Sequence, residues 1–211
     1  MSDAGRVIAG TARSIRLDAP GSGTRPLADR VKQTLFAILE SDLPGAHVLD
    51  LFAGSGAAGI EALSRGAAHA TFVEHDARAV KVIHANLERA GLGAAARVVR
   101  ADALVWLADP ARAGEALDIA IVDPPYQDQV ALARALELVE PLLAPGARVV
   151  AKHFWRDAPP ATVGLLASER VRRFGETALT FYRRHEAPTE GDSAAATTGA
   201  ASMATDTTED A

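Results

Sequence analysis

Five short apolar runs, each followed by a helix-patterned stretch, restrict this chain more than any other feature. They are AHVLDLF ending at Asp50–Phe52, ATFVEH over 70–75, ARVVRAD over 96–102, LDIAIVD over 117–123 and ARVVAKHF over 147–154. Between them lie helical patterns over 57–64, 77–90, a short one through Trp106, and 129–140. Continuously apolar strands alternating with helices predict a parallel sheet covered on both faces, an α/β fold. The pattern then changes. LLASERVRRFG (165–175) and ALTFYRR (178–184) read as two strands joined by a short turn, an antiparallel hairpin on one edge of that sheet. Ahead of the alternation, RVIAG (6–10) and SIRL (14–17) read as a small β-hairpin. Pro26 opens a helix to Glu40 with Leu27, Val31, Leu35, Ile38 and Leu39 on one face.

The charge is unevenly placed. The 211 residues carry a net charge of -5, and residues 188–211, with five acids and no Lys or Arg, account for all of it. That Ala/Thr/Ser/Gly tail has too little apolar surface to offset its ordering entropy and is expected to be disordered. Residues 1–187 are expected to form one domain: a hairpin extension over 1–23 and a core over 24–187. Within them, 1–34 sums to +3, 147–187 to +4 and the middle, 35–146, to -7. Two basic flanks around an acidic centre are an electrostatic footprint for a polyanion if the fold brings the flanks to one face. There are no cysteines, which excludes disulfides, Cys-ligated zinc and thiol nucleophiles. The absence also fits a reducing cytoplasm. No signal-peptide pattern is apparent at the start, and no apolar run reaches the ~18 residues a membrane helix needs. The six histidines show no ligand spacing, so no metal site is expected.

A glycine loop sits between the first parallel strand and its helix. Gly54, Gly56 and Gly59 form GxGxxG, where a ligand can approach the backbone at a helix N-terminus. Two ligands compete for such a loop. A dinucleotide would set its pyrophosphate on the helix dipole, whereas S-adenosylmethionine carries a sulfonium and an ammonium and wants acids nearby. Asp50, four residues before Gly54, supplies that charge. Glu74 ends the next strand, where an acid can take two ribose hydroxyls. Asp102 follows the third strand, placed to accept from an adenine amino group. His75, beside Glu74, is a candidate for the adenosine pocket.

After the fourth strand comes Asp123-Pro124-Pro125-Tyr126. The two prolines fix a rigid loop and leave carbonyls directed into a cleft. A carboxylate, a loop carbonyl and an aromatic ring suit a planar exocyclic amine. Asp123 and the carbonyl accept its two N–H hydrogens, Tyr126 stacks on the ring, and the freed lone pair faces a methyl donor. Such a transfer depends on positioning and electrostatics more than on a strong base.

These residues resemble the amino-group methyltransferases of nucleic acids, and most closely the RsmD family, which methylates the exocyclic amine of a guanine in small-subunit (16S) ribosomal RNA. The resemblance rests on R6-V-I-A-G10, on T24-R-P-L-A-D-R-V-K-Q-T-L-F36, on L49-D-L-F-A-G-S-G-A-A-G-I-E-A-L-S-R-G-A67, on F72-V-E74, Asn86 and D123-P-P-Y126. The TRP-x-x-DRV-x-x-x-LF stretch is the most specific. The resemblance implies a Rossmann-like class I methyltransferase with a seven-stranded, mostly parallel sheet. It implies S-adenosylmethionine as cofactor, held by Asp50, Phe52, Ala53, Gly54, Ser55, Gly56, Glu74, His75, Asp102 and Ala103. Asp123, Pro124, Pro125 and Tyr126 would be the catalytic loop. The partner implied is 16S ribosomal RNA or an assembling small subunit, with Arg25, Arg30, Arg172 and Arg183 on its phosphates, and the enzyme is expected to act as a monomer. After the fifth strand many relatives carry a Glu, where this chain has Lys152-His153.

Phe154 and Trp155 are candidates to stack a base. Three other readings stay open on the residues alone: an adenine-N6 methyltransferase, a nicotinamide oxidoreductase using Gly54–Gly59, and a non-catalytic RNA-binding module. The first lacks a separate target-recognition domain. Asp50 and DPPY weigh against the second, and the intact strand-end acids against the third.

Overall fold

The computed structural model describes residues 2–21, 29–125 and 128–187. Met1, the start of the 24–36 stretch including Arg25, Pro26 and Leu27, Tyr126 and the acidic tail lie outside them. Strands β1 (Ser2–Arg6) and β2 (Arg16–Ala19) pair antiparallel, Ser2 opposite Ala19 and Arg6 opposite Arg16. The expected hairpin is present; its ladder overlaps the two runs read from the sequence at Arg6 and Arg16 and extends beyond them to Ser2 and Ala19. RVIAG leaves β1, with Val7 bonded across to Ile15 and Ser14, and then runs onto the neighbouring helix.

Helix α1 covers Asp29–Ile38. The alternation then proceeds as β3 (His47–Leu51), α2 (Ala57–Ser64), β4 (His69–Glu74), α3 (Ala77–Ala90), β5 (Ala96–Arg100), α4 (Ala103–Leu107), β6 (Leu117–Val122), α5 (Gln129–Val139) and β7 (Leu143–Phe154). After it come β8 (Thr162–Val163), β9 (Leu166–Phe174) and β10 (Thr177–Arg184). One mixed sheet has the order β5-β4-β3-β6-β7-β10-β9-β8. Strands β3 to β7 are parallel, and β10 enters antiparallel between β7 and β9. The seven strands expected are present in a Rossmann-like class I methyltransferase arrangement, with the C-terminal antiparallel hairpin. The two-residue β8 adds an eighth strand that a run as short as Thr162–Val163 does not announce.

Each sheet face carries its own core. Val48, Phe72, Ile119, Ile121, Val150, Leu179 and Phe181 share one buried apolar cluster with Val31, Leu35, Phe36 and Leu39, while Leu49, Leu51, Val73, Val122 and Ala151 share the other with α4 and α5. The first cluster places α1, from the basic N-terminal flank, on the same side as β10, from the basic C-terminal flank. Asp76 caps α3 through the Arg78 N–H, and Gly91 ends it at φ 69°. These are the local signals that fixed its limits in the sequence.

Strand order reverses between β3 and β6. The chain winds outward from β3 to β5, returns to β6, and winds the other way. A switch point of this kind, outside the carboxyl ends of β3 and β6, is where a crevice for a ligand is expected in such a sheet. The glycine loop and the DPP segment both lie at this point, joined by a hydrogen bond from the Asp123 N–H to the Leu51 carbonyl at 3.4 Å.

Candidate functional site

The loop after β3 is built by backbone constraint. Phe52 has φ +58°, sparsely populated for a bulky residue, and Gly54 and Gly56 follow at +55° and +75°. Strain of this kind persists only where the surroundings hold it, and it collects at ligand sites. Gly56 precedes α2 and leaves no room beside Ile83 and Phe72. Gly59 corrects one sequence reading. Its missing side chain serves packing rather than ligand approach, because a Cβ there would lie 2.3 Å from the buried Phe72 ring. The third glycine lets α2 settle on β4.

The acids at the strand ends take separate parts. Asp50 is buried and accepts the Gly59 N–H at 2.8 Å, holding α2 to β3. Burial, with the charges of Asp123 and Glu74, pushes its carboxyl up to about 8 against the Gly59 hydrogen bond. Glu74 is also buried. It accepts the Gly54 N–H and the Asp76 N–H, both at 2.8 Å, and its exposed neighbour His75 lies 3.1 Å from it. Asp102 caps α4: one carboxylate oxygen accepts the Leu104 and Val105 N–H groups, and Ala103 is buried as the first helical residue. So each of the three acids has a structural bond. These bonds order the loop and leave carboxylate lone pairs uncommitted. Ala53 is tied to Val73 across the sheet, and the Ser55 carbonyl accepts from Asn86 at 3.0 Å.

On the other wall, Asp123 stands at the end of β6 with Pro124 buried and Pro125 exposed beyond it. Both Asp123 oxygens accept from the Lys152 ammonium, at 2.7 and 2.8 Å. Burial raises the Asp123 carboxyl and Lys152 opposes that shift. The Pro125 carbonyl accepts the Asp128 N–H, and Asp128 caps α5, so the loop is pinned on its far side.

The arginines divide. Arg30 is exposed on the first turn of α1, and Arg172 is exposed on β9 in the register row of Leu179 and Lys152. Arg183 is not part of this end. It pairs with Arg148 near the start of β7 and forms an ion pair with Glu169, four residues from the Lys152 row, about 13 Å along the strand. Its position along the strand follows from the register of β10 on β7, which the sequence does not show. Trp155 is half-buried, with the Arg173 guanidinium 3.5 Å and the Arg156 guanidinium 4.8 Å from its ring centre. The neighbouring His153 is buried and held on both ring nitrogens by the Phe154 carbonyl and the Thr180 hydroxyl. The carbonyl can only accept, so Nδ1 carries the proton, and burial keeps the ring's pKa low.

Sequence reasoning missed what locks the N-terminal hairpin to the site. Glu61 is fully buried in α2 and accepts the Ile8 and Ala9 N–H groups and the Arg65 guanidinium. Ser64 accepts from Ala12 and donates to Ala9. Asn86 exchanges two hydrogen bonds with the Asp18 backbone while holding the Ser55 carbonyl, so one buried amide links β2 to the glycine loop. The available signal was an acid in the otherwise apolar AAGIEALS helix.

Among the described residues, no group of three or more His, Asp or Glu side chains is arranged to hold a metal ion, and no helix is long and apolar enough to cross a membrane.

Residues 5–183 match the protein family described as Conserved hypothetical protein 95. Ribosomal RNA small subunit methyltransferase D of Escherichia coli is 37% identical over 190 residues, covering 89% of this chain and 93% of that one. The solved structure of yhhF from Escherichia coli superposes with a TM-score of 0.77 at 35% identity, over 85% of this chain and 97% of that chain. An RNA methyltransferase from Salinibacter ruber, solved with S-adenosyl-L-homocysteine, shares the fold at a TM-score of 0.59 and 18% identity, over 79% and 97%. A match across nearly the whole folded body, by sequence and by architecture, shows that the chain belongs to the RsmD family of small-subunit ribosomal RNA methyltransferases.

Proposed function

We propose that residues 1–187 form one methyltransferase domain that transfers a methyl group from S-adenosylmethionine to the exocyclic N2 amine of a guanine in 16S ribosomal RNA, free or in an assembling small subunit. The observation that carries this reading is the position of the Asp123 carboxylate across one crevice from the Phe52–Gly56 loop. The residues fit a cationic cofactor. Asp50, Glu74 and Asp123 gather acids at the loop; burial, and after it the charges of Asp123 and Glu74, raise the Asp50 carboxyl to about 8. A pyrophosphate would meet that charge unfavourably, which argues against a dinucleotide.

When bound, S-adenosylmethionine supplies a methyl group on a positively charged sulfur. Asp50 offers its charge near the sulfonium and ammonium, Glu74 the acceptors for ribose hydroxyls, and Asp102 an acceptor for the adenine amine. Phe52, Ala53, Gly54, Ser55, Gly56, His75 and Ala103 line the same cofactor pocket. Across the crevice Asp123 accepts one amine N–H and the rigid Pro124–Pro125 turn offers a carbonyl for the other, with Tyr126 as the stacking ring. Held this way, the amine would present its nitrogen lone pair to the bound methyl donor, and Asp123 or water would take the proton the amine gives up. Arg25, Arg30 and Arg172 are the phosphate contacts; the position of Arg183 favours a structural part. We read the enzyme as a monomer acting in the cytoplasm, where a ribosomal RNA substrate would be met.

This reading has a proton signature. With its carboxyl near 8, Asp50 is mostly protonated at pH 7, and a bound cation favours the ionised form. Cofactor binding at pH 7 is therefore expected to release close to one proton. Calorimetry in two buffers of different ionisation enthalpy reads this directly, with NAD as the negative control. A binding enthalpy independent of the buffer, or binding of NAD in place of the sulfonium, contradicts the assignment. The same group sets a stability trend in the ligand-free chain. Its folded value lies above the unfolded 3.8, so its contribution is fully present below about pH 3.8 and is lost as pH rises through about 8.

A further inference from the structure

The Lys152–Asp123 contact has a consequence for the reaction. Lys152 lies on β7 beside the end of β6, and its register brings it to the face that carries Ile121 and Asp123. Its ammonium meets both carboxylate oxygens at 2.7 and 2.8 Å, with the two side chains only 11% and 21% exposed. A two-point contact fixes the plane of a carboxylate as well as its distance. Each oxygen has two acceptor sites, so the ammonium uses one on each and leaves the other for a substrate N–H.

We propose that Lys152 is a positioning residue for methyl transfer: bridging both oxygens of Asp123, it keeps that carboxylate ionised and oriented to receive the substrate amine. The inference rests on the reading of Asp123 as the amine's acceptor.

The surroundings make this role necessary. Among the described residues, the charged group that acts on Asp123 is Lys152 on β7, and the Asp123 charge in turn raises the carboxyl of Asp50 on β3. Burial favours protonation of Asp123, and Lys152 is the cation that opposes it. A protonated carboxyl becomes a donor on one oxygen and loses acceptor capacity for an amine. The ammonium has no acceptor site, so it cannot itself receive the substrate amine.

The test compares Lys152→Met and Lys152→Arg with the wild-type chain. Lys152→Met is expected to move the acid limb of the pH–kcat/KM profile upward by about one unit or more. Activity at pH 7 should fall at least about tenfold and recover as the pH is raised. Lys152→Arg should restore most of the wild-type profile, and affinity for S-adenosylmethionine should stay within about threefold in both variants. In an Asp123→Asn background, which has no charge to hold, Lys152→Met should cost little more. Carboxyl carbon-13 NMR of the ligand-free chain should show Asp123 titrating at higher pH in Lys152→Met than in wild type.

An unchanged Asp123 titration, or a loss of activity equal at every pH, overturns the proposal and leaves the methyltransferase reading standing. Absence of methyl transfer by the wild-type chain, with the titration shift present, overturns that reading and the positioning role with it.

Discussion

Asp123→Ala is expected to reduce methyl transfer to ribosomal RNA by about 10³-fold, the usual cost of deleting a preorganised polar group that meets the reacting centre. The carboxylate is the acceptor for one amine N–H, and its partner Lys152 cannot replace it, because an ammonium has only hydrogens to donate. The fold should survive. Asp123 lies beyond the last residue of β6, its side chain is part-exposed, and the released Lys152 ammonium can be hydrated. Affinity for S-adenosylmethionine should change little, because the cofactor acids lie on β3, β4 and the start of α4. The expected pattern is a lost kcat with a retained cofactor Kd and a retained circular dichroism spectrum. A variant that methylates at the wild-type rate removes Asp123 from the mechanism.

Gly10→Ala is expected to be the most destabilising small substitution in the N-terminal extension. Gly10 has φ +83°, and a Cβ there would fall 1.7 Å from the Ser64 carbonyl oxygen. That atom is backbone of α2 and cannot move aside. The chain relieves the clash only by lifting the hairpin from α2, which strips Glu61 of the Ile8 and Ala9 N–H groups and Ser64 of Ala12. Glu61 keeps the Arg65 guanidinium but loses two N–H donors, and buried hydrogen bonds left unmade cost about 1–3 kcal/mol each. Urea unfolding of Gly10→Ala should show a loss of that order. Gly91→Ala is the matched control: its φ is also positive, +69°, but its Cβ would meet open space, so about 1–2 kcal/mol is expected. Equal losses in the two variants would mean that the close approach at Ser64 contributes nothing. The link from β2 through Asn86 to the Ser55 carbonyl adds a corollary, since lifting the hairpin should also weaken the cofactor loop.

These effects separate what the sequence discloses from what it hides. Period and punctuation are local. The limits of α2 and α3 follow from Gly56 before one helix and from Asp76 and Gly91 around the other, and the parallel strands from their unbroken apolar runs. Asp50, Glu74 and Asp123 are legible as strand-end acids for the same reason. Their partners are not, because Gly59, Gly54 and Lys152 meet them through the tertiary fold. Asp102 shows how one pattern serves two ends: an acid after a strand is also an acid before a helix, and the cap is what the structure uses. The buried Glu61 is hidden by sequence distance, since its acceptors serve N–H groups more than fifty residues away. The position of Arg183 along its strand needs the register of β10 on β7, which no local pattern carries.

The central claim is that one crevice seats a sulfonium methyl donor opposite a carboxylate that grips a guanine amine. Its most direct test is mass mapping of modified nucleosides in small-subunit ribosomal RNA taken from a strain lacking this protein, then incubated with the purified chain and S-adenosylmethionine. The account predicts one N2-methylguanosine, absent before incubation, restored by the wild-type chain and not by Asp123→Ala. N6-methyladenosine in its place, or RNA unchanged by the wild-type chain, would contradict it.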